Sequence, residues 1–229
     1  MTSQPNEQLF YGRRKGRLLR TTKSQLMATL LPQLEISLAD NTIFQPQQFF
    51  GEQADRFNAY WLEIGFGGGE HLAGWAINNP EIGIIGCEAF VNGVASLLEH
   101  IDHNQLTNIR IYPKPVQNLL KSLLSHSIER IFVMFPDPWP KARHQKRRLV
   151  NPGFLKEVSR LLVPGGLLHL ASDDQSYIEG ALETLIQTPD LELVSHKHHH
   201  PEDWPATRYE QKALAEGKIC HYLVMKSST

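Results

Sequence analysis

From residue 60 onward the chain alternates short apolar runs with segments whose apolar positions recur every three or four residues. The first kind predicts buried strands, over residues 61–64, 82–87, 109–112, 130–135, 167–172, 191–195 and 219–226. The second predicts amphipathic helices over 69–77, 91–101, 116–124, 152–162 and 175–187. Asn79-Pro80 stops the first of these helices, and Pro164-Gly165-Gly166 follows the fourth. Strands separated by helices of this length form parallel βαβ units, and right-handed crossovers place helices on both faces of a doubly wound α/β sheet. The last two strands break the alternation. A helical turn over 210–216 separates them, and the final strand is free to insert antiparallel, giving a seven-stranded, mostly parallel sheet. Before residue 60 the signals are weaker. Residues 1–23 read as a basic, partly flexible arm, 24–31 as a helix with Leu26, Leu30 and Leu31 on one side and Pro32 near its end, and 40–58 as a polar connector. The division expected is an arm with its helix over 1–40 and a main domain over 41–229.

Composition narrows the class. With 229 residues, 41% hydrophobic and 21% charged, the chain falls in the globular range, so disorder, collagen and coiled coil are excluded. Its two cysteines, Cys87 and Cys220, stand in apolar runs, which excludes a disulfide scaffold and a paired-cysteine zinc site. No apolar stretch approaches the roughly 18 residues of a membrane span, and Met1 to Gln8 form no signal peptide, so a cytoplasmic protein is expected. The net charge of −1 hides two basic segments. Residues 13–23 carry Arg13, Arg14, Lys15, Arg17, Arg20 and Lys23, and residues 141–148 carry Lys141, Arg143, Lys146, Arg147 and Arg148. Neither contains an acid, and together they hold eleven of the 23 Lys and Arg, the local footprint of a polyanion partner.

The first strand runs into Leu62-Glu63-Ile64-Gly65-Phe66-Gly67-Gly68-Gly69, and Glu88 closes the second strand. Glycines there let the backbone turn sharply and let a ligand approach at the switch point of the sheet. A dinucleotide fingerprint would need glycine where Glu70 stands, and a pyrophosphate would meet Glu63 and Glu70. S-adenosylmethionine has no phosphate and carries cationic groups, so Glu63, Gly65, Gly67 and Glu88 favour it, with Glu88 on the ribose hydroxyls. Seven strands ending in this way also match the Rossmann-like class I S-adenosylmethionine-dependent methyltransferases. The fourth strand empties into Pro136-Asp137-Pro138-Trp139-Pro140-Lys141, where alternating prolines stiffen the loop around an acid and an aromatic ring suited to a nucleobase. The run His196 to His200 reads as a solvated basic loop and not a metal site, because adjacent histidines seldom all face one ion.

These segments together resemble the bacterial tRNA (guanine-N7)-methyltransferase family over nearly the whole chain. Residues 62–67 are similar to its cofactor loop and 135–148 to its signature. Ala171-Ser172-Asp173, Thr207-Arg208-Tyr209-Glu210 and the basic start over 12–22 resemble further segments. The resemblance implies methyl transfer from S-adenosylmethionine to N7 of the guanine at position 46 of the tRNA variable loop. It implies Asp137 as the active-site acid, and Lys141, Asp173, Thr207, Arg208, Tyr209 and Glu210 as tRNA contacts. A family acid or Asn after the third strand is replaced by Pro115, so adenine is expected to be held by backbone groups or by Gln117. No metal and no membrane are expected, and the assembly is a monomer or homodimer. The competing enzyme reading is a class I methyltransferase acting on an exocyclic base amine, for which the loop lacks a doubled proline. The non-enzymatic one is an RNA-binding module with a vestigial pocket, against which Glu63, Glu88 and Asp137 together argue.

Overall fold

The apolar runs become strands that are covered on both sides. In the computed structural model, which describes residues 12, 14 and 16–228, the strands are β1 (Ala59–Ile64), β2 (Ile82–Cys87), β3 (Ile109–Tyr112), β4 (Ile128–Met134), β5 (Leu162–Ser172), β6 (Leu191–Lys197) and β7 (His221–Ser227). They form a seven-stranded sheet in the order β3-β2-β1-β4-β5-β7-β6. β1 to β5 pair in parallel, and β7 runs antiparallel to both β5 and β6. All six residues of β2 are buried, as a strand between two helical layers requires.

The helices are α1 (Thr21–Thr29), α2 (Leu31–Leu34), α3 (Glu70–Asn78), α4 (Val91–Asn104), α5 (Val116–Ser122), α6 (Pro152–Leu161), α7 (Gln175–Ile186) and α8 (Arg208–Ala215). Period-two alternation divides the core. Leu62, Ile64 and Val133 face the side packed by Leu119 of α5, Leu155 of α6 and Ile178 of α7. Trp61 and Phe132 face the side packed by Leu72 of α3 and Leu97 of α4. Because the chain winds outward from β1 to β3 and then returns to β4 on the other side of β1, the loops after β1 and β4 leave adjacent strand ends at the switch point, with Ile64 opposite Val133.

Three local features differ from expectation, each for a physical reason. The first helix begins at Thr21 and ends at Thr29, and Pro32 opens the short α2, since proline suits the first turn of a helix. The connector over 40–58 contains 3-10 turns from Pro46 to Arg56, and it buries Phe50 against Phe57 and Tyr60. β5 starts before the Pro-Gly-Gly turn, because Leu162 pairs with Ile128 and Leu167 with Arg130, so residues 163–166 bulge out of the ladder. The arm is anchored where it is described. Arg14 O accepts from Val91 N, Gly16 N donates to Asn92 Oδ1 and Asn92 Nδ2 donates to Arg17 O. Arg13 and Lys15 lie outside the described residues. Ile36 continues into the sheet-side core and its N–H donates to Ile111 O.

Among the described residues no helix is long and apolar enough to cross a membrane. Asn108, buried ahead of β3, donates from Nδ2 to the carbonyls of Ala76, Asn79 and Ile82, each at 3.1 Å, and so joins the end of α3 to β2. Asn108→Ala leaves those carbonyls short of a donor, and urea unfolding is expected to show a loss on the order of 2 kcal/mol with an unchanged m-value.

Candidate active site

The glycine loop is shaped by two backbone reversals and one close approach. Gly65 and Gly67 have φ of 73° and 56°, a region that favours glycine. Gly65 N donates to Cys87 O at 2.7 Å, and Gly67 N donates to Glu88 Oε2 at 2.9 Å. The other Glu88 oxygen accepts from Phe90 N at 2.8 Å. A Cβ at Gly93, in the first turn of α4, would collide with the carbonyl oxygen of Gly67, whereas a Cβ at Gly65 would meet no atom within 4 Å. The loop is thus pressed onto α4 on one side and open on the other.

That open side is a cavity of about 730 Å³, within the size range of small-molecule sites. It brings together Gly65, Gly67, Glu88, Pro115, Asp137 and Tyr209 of the residues expected from the sequence. Burial pushes the Glu88 carboxyl up from its ordinary value, against the opposing pull of the backbone N–H groups of Phe90, Gly67 and Ala89. Asp137 is solvent-accessible at the mouth, yet the protein around it also raises its carboxyl. A smaller cavity of about 440 Å³ opens at the starts of β1 and β4, with Tyr60 and Glu129 in its wall. It lies at the end of the sheet where doubly wound folds do not bind ligands.

The Pro-Asp-Pro-Trp loop is held in place by an arginine. Arg148, almost fully buried, donates from Nε to Pro138 O at 2.9 Å, from Nη1 to Ser176 O at 2.7 Å and from Nη2 to Ser176 Oγ at 2.7 Å. Its guanidinium also lies over the Tyr177 ring. The loop is flanked by two residues with left-handed backbone, Phe135 at φ 50° and Trp139 at φ 44°, and the guanidinium of Arg147 sits 4.9 Å from the centre of the Trp139 ring. Non-glycine residues rarely adopt such angles, and they concentrate at functional sites.

A family model described as "Putative methyltransferase" matches residues 58–223. The tRNA (guanine-N(7)-)-methyltransferase of Rhodospirillum rubrum is 42% identical over 99% of this chain and 91% of its own. That of Paramagnetospirillum magneticum is 45% identical over 90% of this chain and 87% of its own. The chain belongs to the tRNA (guanine-N(7)-)-methyltransferase family. Solved structures share the fold at low identity. The 16S rRNA methyltransferase KamB superposes with a TM-score of 0.59 at 14% identity, over 85% of this chain and 96% of that one. A variant of the 16S rRNA (adenine(1408)-N(1))-methyltransferase of Catenulisporales acidiphilia, solved with its cosubstrate SAM, gives 0.58 at 12% identity, over 82% and 93%.

Within this family fold, several residues expected to touch ligands have other partners. Glu63 is buried on the α3 side of β1, outside the cavity wall, and accepts from His71 Nδ1 at 2.8 Å. Trp75 Nε1 donates to His71 Nε2 at 3.0 Å, which places the imidazole proton on the nitrogen facing Glu63. Thr207 and Glu210 form a reciprocal cap at the start of α8, and Glu210 is further bonded by the Tyr222 hydroxyl and by His200 Nδ1. Arg208 pairs with Glu70, and Asp173 with Lys218 Nζ at 2.7 Å. Of that segment only Tyr209 lines the cavity, with its ring packed over Gly67. Lys141 is exposed beside the loop and outside the cavity wall. The structure adds Lys114, in the loop before α5, Lys121 of α5 and Lys156 of α6 to the wall. No spacing in the sequence joins them.

The histidine run is not a solvated loop throughout, because β6 extends into it. His196 Nε2 lies 3.1 Å from His221 Nδ1, and His200 is bonded at both ring nitrogens, to Glu210 and to Trp204 O.

Arg148→Ala removes the donors that hold the acid loop on α7. We expect a loss of about 2–3 kcal/mol in chemical unfolding, from buried acceptors left without a charged donor. Turnover should fall further than stability alone explains, and full activity in a destabilised variant would show that the clamp does not position Asp137.

Proposed function

We propose that this protein transfers the methyl group of S-adenosylmethionine to N7 of the guanine at position 46 of the tRNA variable loop. The meeting of the Glu88-bound glycine loop with the Pro-Asp-Pro-Trp loop in one cavity carries this reading. The bound cosubstrate supplies an electrophilic methyl group. The chain's task is to hold, align and stabilise.

Glu88 has lone pairs beyond the two used by Gly67 and Phe90, and in this reading they accept from the ribose hydroxyls. The open face of Gly65 lets the cosubstrate lie directly on the backbone. Pro115 lines the cavity as the residue preceding α5, with Gln117 beside it, so adenine is bounded by an apolar ring and one amide. Glu63 acts on this site by bracing α3 through His71 and not by contact with the methionine amino group, which is supported by its burial on the far side of β1.

Guanine N7 carries a lone pair and no proton, so no base has to prepare it. Asp137, held by the Arg148 clamp, accepts from N–H groups at the guanine edge and orients N7 toward the methyl donor. Positive charge grows on the purine as the bond forms, so an ionised Asp137 is worth more in the transition state than in the ground state. Alignment itself contributes several kcal/mol to lowering the barrier. The cationic side chains at the cavity (Lys114, Lys121, Lys146 and Lys156) and the exposed Lys141 and Arg143 face the tRNA phosphates. The protein works as a soluble tRNA-modifying enzyme in the cytoplasm and needs no metal for methyl transfer.

Two experiments test the reading. Asp137→Asn keeps shape but removes charge, and turnover is expected to fall about a hundredfold or more with cosubstrate affinity nearly unchanged. Since the protein raises Asp137, the wild type should lose kcat as pH falls through a value above the ordinary aspartate range. The variant should lack that acid limb, while the Glu88 limb stays in the KM for S-adenosylmethionine. Near-normal turnover of the variant would make the loop structural only. For the target, tRNA incubated with labelled cosubstrate should carry N7-methylguanosine at position 46, read by aniline cleavage. Replacing that guanine by adenine should abolish incorporation, and label persisting elsewhere would move the target.

A further inference from the structure

We propose that His196, His198 and His221 form a binding site for one divalent late transition-metal ion of the zinc type, outside the methyl-transfer cavity. Each residue offers one ring nitrogen, and the three nitrogens lie within 4.8 Å of one another. The His196–His221 separation of 3.1 Å is already close to what one ion demands. With zinc–nitrogen bonds of about 2.0–2.1 Å, two ligands on a tetrahedral ion stand roughly 3.3–3.4 Å apart. The remaining gap is to His198, which is exposed and able to turn about its side-chain torsions.

The sheet makes this juxtaposition, not the run of histidines. His196 and His198 are two residues apart, so they share one face of the edge strand and its extension. Lys197 stands opposite Tyr222 across the antiparallel ladder, which makes His198 and His221 the next pair outward. The ring centres follow: 4.9 Å for His196 to His198, 4.6 Å for His198 to His221 and 5.4 Å for His196 to His221. His199 falls on the other side of the chain's alternation, and His200 is engaged by Glu210 and Trp204. The contiguous run is therefore misleading. Two of its members and one distant histidine make the cluster.

The donor set selects the ion. Three imidazoles with no carboxylate cage suit zinc, nickel or copper and not magnesium or calcium. Glu179 on α7 is near enough to His221 to add a favourable negative charge. His196 and His198 are exposed, so the fourth coordination position opens to water. An ion here ties the end of β6 to the start of β7 and closes the base of the segment that carries α8 and Tyr209.

The test uses the full-length, untagged protein, stripped of metal and titrated with Zn²⁺ against a chromophoric chelator. One equivalent is expected to bind, with no competition from Mg²⁺. His198→Gln and His221→Gln should each weaken binding by roughly tenfold or more, and His103→Gln, on the exposed side of α4, should leave it unchanged. Added Zn²⁺ should raise the Tm of the wild type and not of the His198 variant. Absent one-to-one binding, or unchanged affinity in His198→Gln, overturns the proposal. Loss of binding in a His199→Gln, His200→Gln double variant but not in His198→Gln does the same, by placing the ion on the contiguous run. His221 is buried, so if His221→Gln does not fold, the exposed His198 variant decides.

Discussion

One carboxylate holds the two backbone segments that make the cavity floor. Both oxygens of Glu88 accept main-chain N–H groups, from Gly67 in the loop after β1 and from Phe90 before α4. Burying a carboxylate is costly unless it is bonded, and these donors offset part of that cost while desolvation still raises the group. The arrangement needs Gly67 to reverse direction and Gly93 to admit the Gly67 carbonyl. With these satisfied, the glycine loop is fixed before any ligand arrives, and its exposed backbone becomes a rigid wall. Ligand binding then does not have to order that segment, a saving in conformational entropy.

On the opposite wall the chain uses a cation for the same purpose. Arg148 belongs by sequence to a basic segment that reads as a phosphate-binding patch, yet its guanidinium is buried against the Pro138 carbonyl and Ser176. Lys141, Arg143 and Lys146 of the same segment remain exposed. A planar fork with fixed donor directions suits the clamp, and the flexible ammonium groups of Lys141 and Lys146 suit a moving polyanion. The two neighbours Arg147 and Arg148 also divide the loop between them, one stacked on Trp139 and the other bonded to the carbonyl just before it.

Strand and helix periodicity made the parallel sheet, its switch point and the loops after β1 and β4 legible from residues alone. Gly65, Gly67, Glu88 and Asp137 meet in one cavity because topology brings those two loops together. Partner choice was not legible in the same way. Glu63 stands one residue from the glycine turn, but strand alternation points it to the α3 layer, where His71 waits eight residues on. The Thr207–Glu210 spacing is that of a capping box, and the cap explains both residues locally, leaving Tyr209 between them to face the cavity. Lys114, Lys121 and Lys156, like His221 beside His196, are joined only by tertiary packing. His196 to His200 are contiguous in sequence, whereas the ladder puts every second one on a shared face.

The strained backbone around Asp137 follows from these constraints taken together. Phe135 and Trp139 both hold left-handed angles, and such positions cost on the order of 1–3 kcal/mol each. A loop free to relax would lose them. Here Phe135 N donates to Ala171 O at the end of β5, so the first reversal is tied to the neighbouring strand. The second is tied by Arg148 through the Pro138 carbonyl and by Arg147 over the Trp139 ring. Between these anchors, Pro136 and Pro138 restrict the residues before them and remove N–H groups that would otherwise require partners. The segment has few alternative conformations, and Asp137 is left as its one ionisable side chain, in the wall of the cavity it shares with the glycine loop. Strain at the two ends is the consequence of turning the chain sharply enough to aim that carboxylate, and the hydrogen bonds to β5 and α7 are what keep it from relaxing.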